Sequence, residues 1–168
     1  MRKQPSAILI VEDDRNDQEL MIQAFHGLPV SEIICCLSDG SEAIAYLDGK
    51  GKFSDRDKYP FPSVILTDLK MPIVDGFAVL AHLKRRYFQA AVPAIVVSAS
   101  DDPDDINRAY LCGASAYFVK SSDFSGLEKL LKRIYEYWTI AETPMVNSRG
   151  EVIGAHSHGK AGEHRPNS

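Results

Sequence analysis

The chain has 168 residues, of which 45% are hydrophobic and 25% charged, with a formal net charge of −4. That length suits one domain with a real hydrophobic core and is short for two. No basic block marks a nucleic-acid binder, and no apolar run approaches the ~20 residues of a membrane span. The N-terminus, MRKQPSAILIVEDD, starts basic but reaches acid after a short apolar run, too short for the about 7–15-residue core of a signal peptide. Cys35, Cys36 and Cys112 are odd in number and lack metal-ligand spacing. Adjacent cysteines on a strand point to opposite faces, so they read as small buried hydrophobes in a reducing, cytoplasmic setting.

The elements alternate along the chain. Ala7 to Val11 is a continuous apolar run and predicts a buried parallel strand. Leu20, Ile22 and Phe25 mark the apolar side of a first helix that stops at Gly27. Ile33 to Leu37 predicts a second strand, and Ala43, Ile44 and Leu47 a second helix ending at Gly49. The stretch GKGKFSDRDKYPFP, from Gly49 to Pro62, is polar and proline-punctuated and predicts a long loop. A third strand runs from Val64 to Thr67. Asp75 then caps a third helix carrying Phe77, Leu80 and Leu83. Pro93 opens a fourth strand, Ala94 to Ser98, where its missing N–H costs least. Pro103, after an acidic pair, starts a helix with Ile106, Tyr110 and Leu111 that stops at Gly113. Ala116 to Val119 is the fifth strand. Leu127, Leu130, Leu131, Ile134 and Trp138 mark the fifth helix. Residues 6–142 therefore read as one domain, and Thr143 to Ser168 as a flexible tail rich in Gly, Ser, His and charge. The tail's His156, His158 and His164 could ligate a metal, but their spacing in a Gly-rich segment favours an unstructured reading. Five strands alternating with five helices predict an α/β fold, a doubly wound, flavodoxin-like parallel sheet of the (βα)5 type.

In such a sheet, ligands bind beyond the carboxyl ends of the strands. The first strand ends in Glu12, Asp13 and Asp14, the third in Asp68, the fourth in Ser98 and the fifth in Lys120. Crowded carboxylates raise one another's pKa values unless a cation sits among them. An all-oxygen set points to Mg²⁺, which takes one or two carboxylates and completes its shell with water and phosphate oxygens. A carboxylate beside such a metal can attack phosphorus and become an aspartyl phosphate. The metal, the Lys120 ammonium and the Ser98 hydroxyl would then offset the charge on the transferring group. Asp14 is either a further member of this set or simply the N-cap of the first helix.

The segments ILIVEDD, LTDLKMPIVDG, VVSAS and GASAYFVK, in that order, resemble the receiver domain of two-component response regulators. The match runs from about Ala7 to Trp138, and the intervals of 30 residues from Asp68 to Ser98 and 22 from Ser98 to Lys120 fit the family. The resemblance implies that Asp68 is the phosphoacceptor. It also implies that Glu12, Asp13, Asp68 and the Lys70 backbone carbonyl hold Mg²⁺, with Asp13 direct and Glu12 through water. Ser98 becomes the switch hydroxyl, Lys120 the cation that pairs with the phosphoryl group, and Tyr117 the aromatic whose rotamer reports phosphorylation. Tyr117 also reads as a half-buried strand tyrosine. The family usually has a proline with a cis peptide after the lysine. Here Ser121 and Ser122 follow, so the Lys120 loop is expected either to be trans and altered or to carry strain.

The long loop, VEDDRNDQEL and the closing EKLLKRIYEYW resemble small single-domain regulators that partner phytochrome-type or other sensor histidine kinases. That similarity implies a histidine kinase as phosphodonor and a homodimer formed through the last helix and strand. With only about 30 residues after Trp138, no DNA-binding or catalytic output domain is expected, nor any nucleic-acid or membrane partner. Phosphorylation-dependent protein–protein interaction is the function implied. Two other readings use the same residues. A haloacid-dehalogenase-type phosphohydrolase also combines Asp, Mg²⁺ and Lys, but needs a second Asp two residues after the nucleophile, where this chain has Lys70. A degenerate receiver acting only as a scaffold would have no use for the intact acidic set.

Overall fold

The computed structural model describes residues 6–154. Strands β1 (Ala7–Val11), β2 (Ile33–Leu37), β3 (Pro62–Thr67), β4 (Ala94–Ser98) and β5 (Ala116–Val119) form a single sheet in the order β2-β1-β3-β4-β5, every neighbouring pair parallel. Helices α1 (Arg15–His26), α2 (Gly40–Asp48), α3 (Gly76–Tyr87), α4 (Pro103–Cys112) and α5 (Phe124–Ile140) supply the connections. This is the expected flavodoxin-like arrangement. The strand order reverses between β1 and β3, which is where such a sheet opens a crevice beyond its carboxyl ends.

Side-chain alternation along the strands builds two cores. Ala7, Leu9 and Val11, with Ile65 and Val96, pack under α2, α3 and α4. Ile8 and Ile10, with Leu66, Ile95 and Val97, pack under α1 and α5. Cys35 lies against the first core and Cys36 against the second, as neighbours on a strand must. The expected faces of α3 and α5 are the buried ones. The face of α1 is rotated from the expected one: Met21, Ala24 and Phe25 are buried while Leu20 is exposed. In α4 the apolar trio does not form the core face either. Ala109 is the buried residue, and Tyr110 and Leu111 are exposed.

The loop after α2 is more ordered than its polarity predicts. Gly51–Phe53 forms a 3₁₀ turn that buries Phe53. The Phe53 ring packs beside Tyr46 and Tyr59 at centroid distances of 5.0 and 5.2 Å. Arg56 donates from Nη1 to the Tyr46 carbonyl at 2.8 Å and from Nη2 to the Leu47 carbonyl at 2.7 Å. These carbonyls lie in the last turn of α2, where Arg56 adds to the Gly49 amide that already donates to the Tyr46 carbonyl.

Beyond α5 the chain does not immediately become a loose tail. Val146 and Val152 pair in an antiparallel bridge, and Val146 packs against the first core. His156, His158 and His164 lie outside the described residues. Among the described residues, no helix is long and apolar enough to cross a membrane.

Candidate functional site

The site grows from the ends of β1 and β3. The Glu12 amide continues the ladder by donating to the Leu37 carbonyl at 3.0 Å, which leaves Glu12 only 2% exposed. Its Oε1 accepts from the Asp14 amide at 3.0 Å. The Asp14 carboxylate accepts from the Asp17 amide at 2.9 Å, so Asp14 is the N-cap of α1. On the neighbouring strand end, the Asp68 amide donates to the Val11 carbonyl at 2.9 Å, seating Asp68 beside Glu12 and Asp13. Asp68 Oδ1 accepts from the Leu69 amide at 2.7 Å.

One carboxylate oxygen each from Glu12, Asp13 and Asp68 can be chosen so that all lie within 4.8 Å of one another. Such a set, buried on one side and open through Asp13, fits a hard divalent cation. Burial, followed by the negative charge of Asp68, holds the Glu12 pKa above the ordinary glutamate value, outweighing the lowering effect of Lys120 and the Asp14 amide.

Lys120 reaches this cluster from β5, across β4. Its backbone amide donates to the Ser98 carbonyl at 2.8 Å. Its Nζ lies 2.6 Å from Glu12 Oε2, 2.8 Å from Asp17 Oδ2 and 3.1 Å from Asp68 Oδ2. Burial alone would favour a neutral amine. The hydrogen bonds it donates to Asp17 and Glu12 and the charge of Asp68 outweigh it, and the ammonium is held above the usual lysine range. The Lys120–Ser121 peptide is trans, which settles the alternative left open by the missing proline. The loop then ends at Asp123, whose carboxylate caps α5 through the Gly126 amide at 2.6 Å.

Ser98 is buried at the end of β4. Its Oγ accepts from the Ser100 amide at 3.3 Å. The Tyr117 hydroxyl donates to the Ser100 carbonyl at 2.8 Å. The Ser100 hydroxyl donates to Asp105 Oδ2 at 2.6 Å, and the same Asp105 oxygen lies 3.0 Å from Lys70 Nζ. The Ser98 hydroxyl, Tyr117, Lys70 in the turn after Asp68 and Asp105 in the first turn of α4 are thus joined in one polar chain.

Residues 8–132 match the family described as the response regulator receiver domain. The chain belongs to that family. It is 35% identical over 137 residues to the probable methanogenesis regulatory protein FilR2 of Methanothrix harundinacea, an alignment covering 80% of this chain and 84% of FilR2. Among solved structures it is similar to the phosphorylated cyanobacterial phytochrome response regulator RcpA. That superposition has a TM-score of 0.76 at 33% identity and covers 84% of this chain and 99% of RcpA. It is also similar to the Mn²⁺-bound form of Rcp1, the response regulator of Synechocystis, with a TM-score of 0.75 at 30% identity, covering 84% of this chain and all of that one.

The structure brings Glu12, Asp13, Asp68 and Lys120 together, with Ser98 on β4 and Tyr117 on β5. Asp17, Ser100 and Asp105 were not singled out by the sequence. Asp17 falls one helical turn after Asp13 and Asp14, a spacing that returns a side chain to the same end of α1.

Proposed function

We propose that the chain is a phosphorylation-controlled binding module in which Asp68 accepts a phosphoryl group from a sensor histidine kinase. The observation that carries this is the position of the Asp68 carboxylate, clustered with the Glu12 and Asp13 carboxylates and within 3.1 Å of the Lys120 ammonium. In the transfer, an Asp68 carboxylate oxygen bonds to phosphorus as the donor's P–N bond breaks, and the electron pair stays on the histidine nitrogen. Glu12, Asp13, Asp68 and the Lys70 carbonyl would hold Mg²⁺, which when bound offsets the charge on the equatorial oxygens. Lys120 neutralises part of the same charge. Ser98 donates its hydroxyl to the phosphoryl group, giving up its contact with the Ser100 amide. The chain from Ser100 to Tyr117 and Asp105 carries that displacement to β5 and α4, a local charge change biasing a wider surface. The protein acts as acceptor and not as a turnover enzyme.

The likeness to RcpA supports a phytochrome-type kinase as donor. Tyr110, Leu111, Val119, Tyr137 and Ile140 are exposed on α4, β5 and α5, and such apolar surface supports a homodimer formed through that face. The phosphohydrolase reading gains nothing from the structure, since Lys70 at the required second-acid position pairs with Asp105.

Acetyl phosphate with Mg²⁺ is expected to label wild type and to leave Asp68→Asn unlabelled, with labelling abolished by excess chelator. Equal labelling of the two proteins would overturn the assignment. Light scattering is expected to give a mass near twice 18.6 kDa. A monomer at all concentrations, phosphorylated or not, would remove the dimer.

A further inference from the structure

We propose that Asp17, in the first turn of α1, is a positioning residue that aims the Lys120 ammonium at the phosphoryl group of Asp68. The inference rests on the phosphoacceptor reading of Asp68 and adds a residue to its machinery.

Lys120 directly follows β5, and β4 separates that strand from β3. A flexible four-carbon stem must therefore span a strand to reach Asp68, and its aim depends on what grips its far end. The loop behind it offers little help: Ser121 and Ser122 are exposed. An ammonium has three N–H donors and no acceptor. Here all three donors find carboxylates, from Glu12, Asp17 and Asp68. Asp68 is the most distant of the three, so the lysine is held mainly by the other two.

Those two anchors are not equivalent. Glu12 also belongs to the carboxylate cluster suited to a divalent cation, so its oxygens are shared between the metal and the ammonium. Asp17 lies outside that cluster. Its backbone is fixed by its own amide, which donates to the Asp14 cap. Its side chain is 39% exposed, whereas that of Lys120 is 16% exposed. Asp17 therefore grips the ammonium from the solvent side, opposite Glu12. When Asp68 carries the phosphoryl group, a phosphoryl oxygen becomes the third acceptor. Asp17 is then the anchor that neither the metal nor the phosphoryl group claims. Without it, the ammonium is free to settle on Glu12 or to swing into water.

Beryllofluoride, a stable phosphoryl analogue, tests this directly. Its affinity at saturating Mg²⁺, and the Mg²⁺ affinity alone, would be measured by calorimetry for wild type, Asp17→Ala, Asp17→Asn, Lys120→Ala and the Asp17→Ala/Lys120→Ala double variant. Asp17→Ala is expected to weaken beryllofluoride binding about tenfold, roughly the size of one lost charge-assisted hydrogen bond, with Mg²⁺ affinity within about twofold of wild type. Asp17→Asn keeps the shape of the side chain and should fold even if the alanine variant does not. It is expected to lose part of the same affinity. In the Lys120→Ala background, removing Asp17 should have no further effect. Wild-type affinity in both Asp17 variants, or an Asp17→Ala loss that persists without Lys120, would overturn the proposal while leaving Asp68 as acceptor. A wild-type protein that neither binds beryllofluoride nor is labelled by acetyl phosphate would overturn both.

Discussion

A Cβ built on Gly76 would lie 2.0 Å from the Asp68 carbonyl oxygen and 2.9 Å from the Leu69 Cα, both backbone atoms. The Gly76 amide also donates to the Leu69 carbonyl at 2.9 Å, closing the turn that follows Asp68. Any side chain here must push the Asp68 backbone away from the Val11 carbonyl that seats it. Gly76→Ala is therefore expected to destabilise the protein by about 1–3 kcal/mol and to slow labelling of Asp68, as read by urea unfolding and acetyl phosphate uptake. Unchanged stability together with unchanged labelling would show that the turn gives way cheaply. At this scale the sequence exposes strand-end chemistry well. Glu12, Asp13, Asp68, Ser98 and Lys120 each follow an apolar run that must be a strand, and all such ends in a parallel sheet share one rim. Asp17 follows no strand. It looks like an ordinary acid in the first turn of a helix, and its contact with Lys120 joins residues 103 positions apart.

The C-terminus of α2 ends on an acid, Asp48, where the helix dipole disfavours negative charge. Three groups offset that placement: His82 Nε2 at 2.8 Å, the Tyr87 hydroxyl at 3.0 Å and Lys50 Nζ at 3.0 Å. Burial pushes the Asp48 pKa upward, but these hydrogen bonds outweigh it and bring it down from 3.8 to about 2. A carboxyl whose folded pKa is depressed adds stability above its unfolded value, and that stability is lost as pH falls through the folded value. The contribution is therefore complete above about pH 4 and fades toward pH 2, and at ~1.4 kcal/mol per unit it amounts to about 2 kcal/mol. Asp48→Asn should lose roughly that much at pH 7 and show a flatter decline between about pH 4 and 2. Parallel declines in the two proteins, measured by urea melts across that range, would assign the acid sensitivity elsewhere. The α2–α3 seam and the helices around it also show what periodicity leaves open. In α3 and α5 the apolar stripe is continuous and its direction is unambiguous. In α1 two nearly equivalent stripes compete, and Met21 with Phe25 outpacks Leu20 because i and i+4 stack on the same side. In α4 the stripe exists but turns outward, since small Ala109 lets the helix sit close to its neighbours. Hydrophobic spacing identifies a face, not the partner that covers it.

Across the whole molecule, the two ends of the sheet do different things. The carboxyl ends hold Asp68 and its neighbours, while the chain beyond α5 folds back near the start of β3. There Gly150, at φ +79, lies over the Phe61 ring so closely that a Cβ would come within 2.3 Å of it. Val146 completes that contact against the core and pairs with Val152. The composition of this segment, rich in Gly, Ser and charge, hides the fold-back, because two valines and one glycine are enough to make it and none forms a periodic run. Removing everything after Glu142 would uncover the Phe61 ring and the apolar surface beneath Val146. Phe61 is 4% exposed, and at ~25 cal/mol per Å² partial exposure of its ring with loss of Val146 costs about 1–2 kcal/mol. The truncated protein is therefore expected to unfold at lower urea, with a fall in Tm of several degrees. Labelling of Asp68 by acetyl phosphate should be unchanged, because the described residues 143–154 pack beside Phe61 at the start of β3, the end of the sheet away from Glu12, Asp13 and Lys120. A truncation that leaves stability intact would mean that residues 143–154 ride on the domain without supporting it. One that preserves stability but alters labelling would mean that the two ends of the sheet communicate.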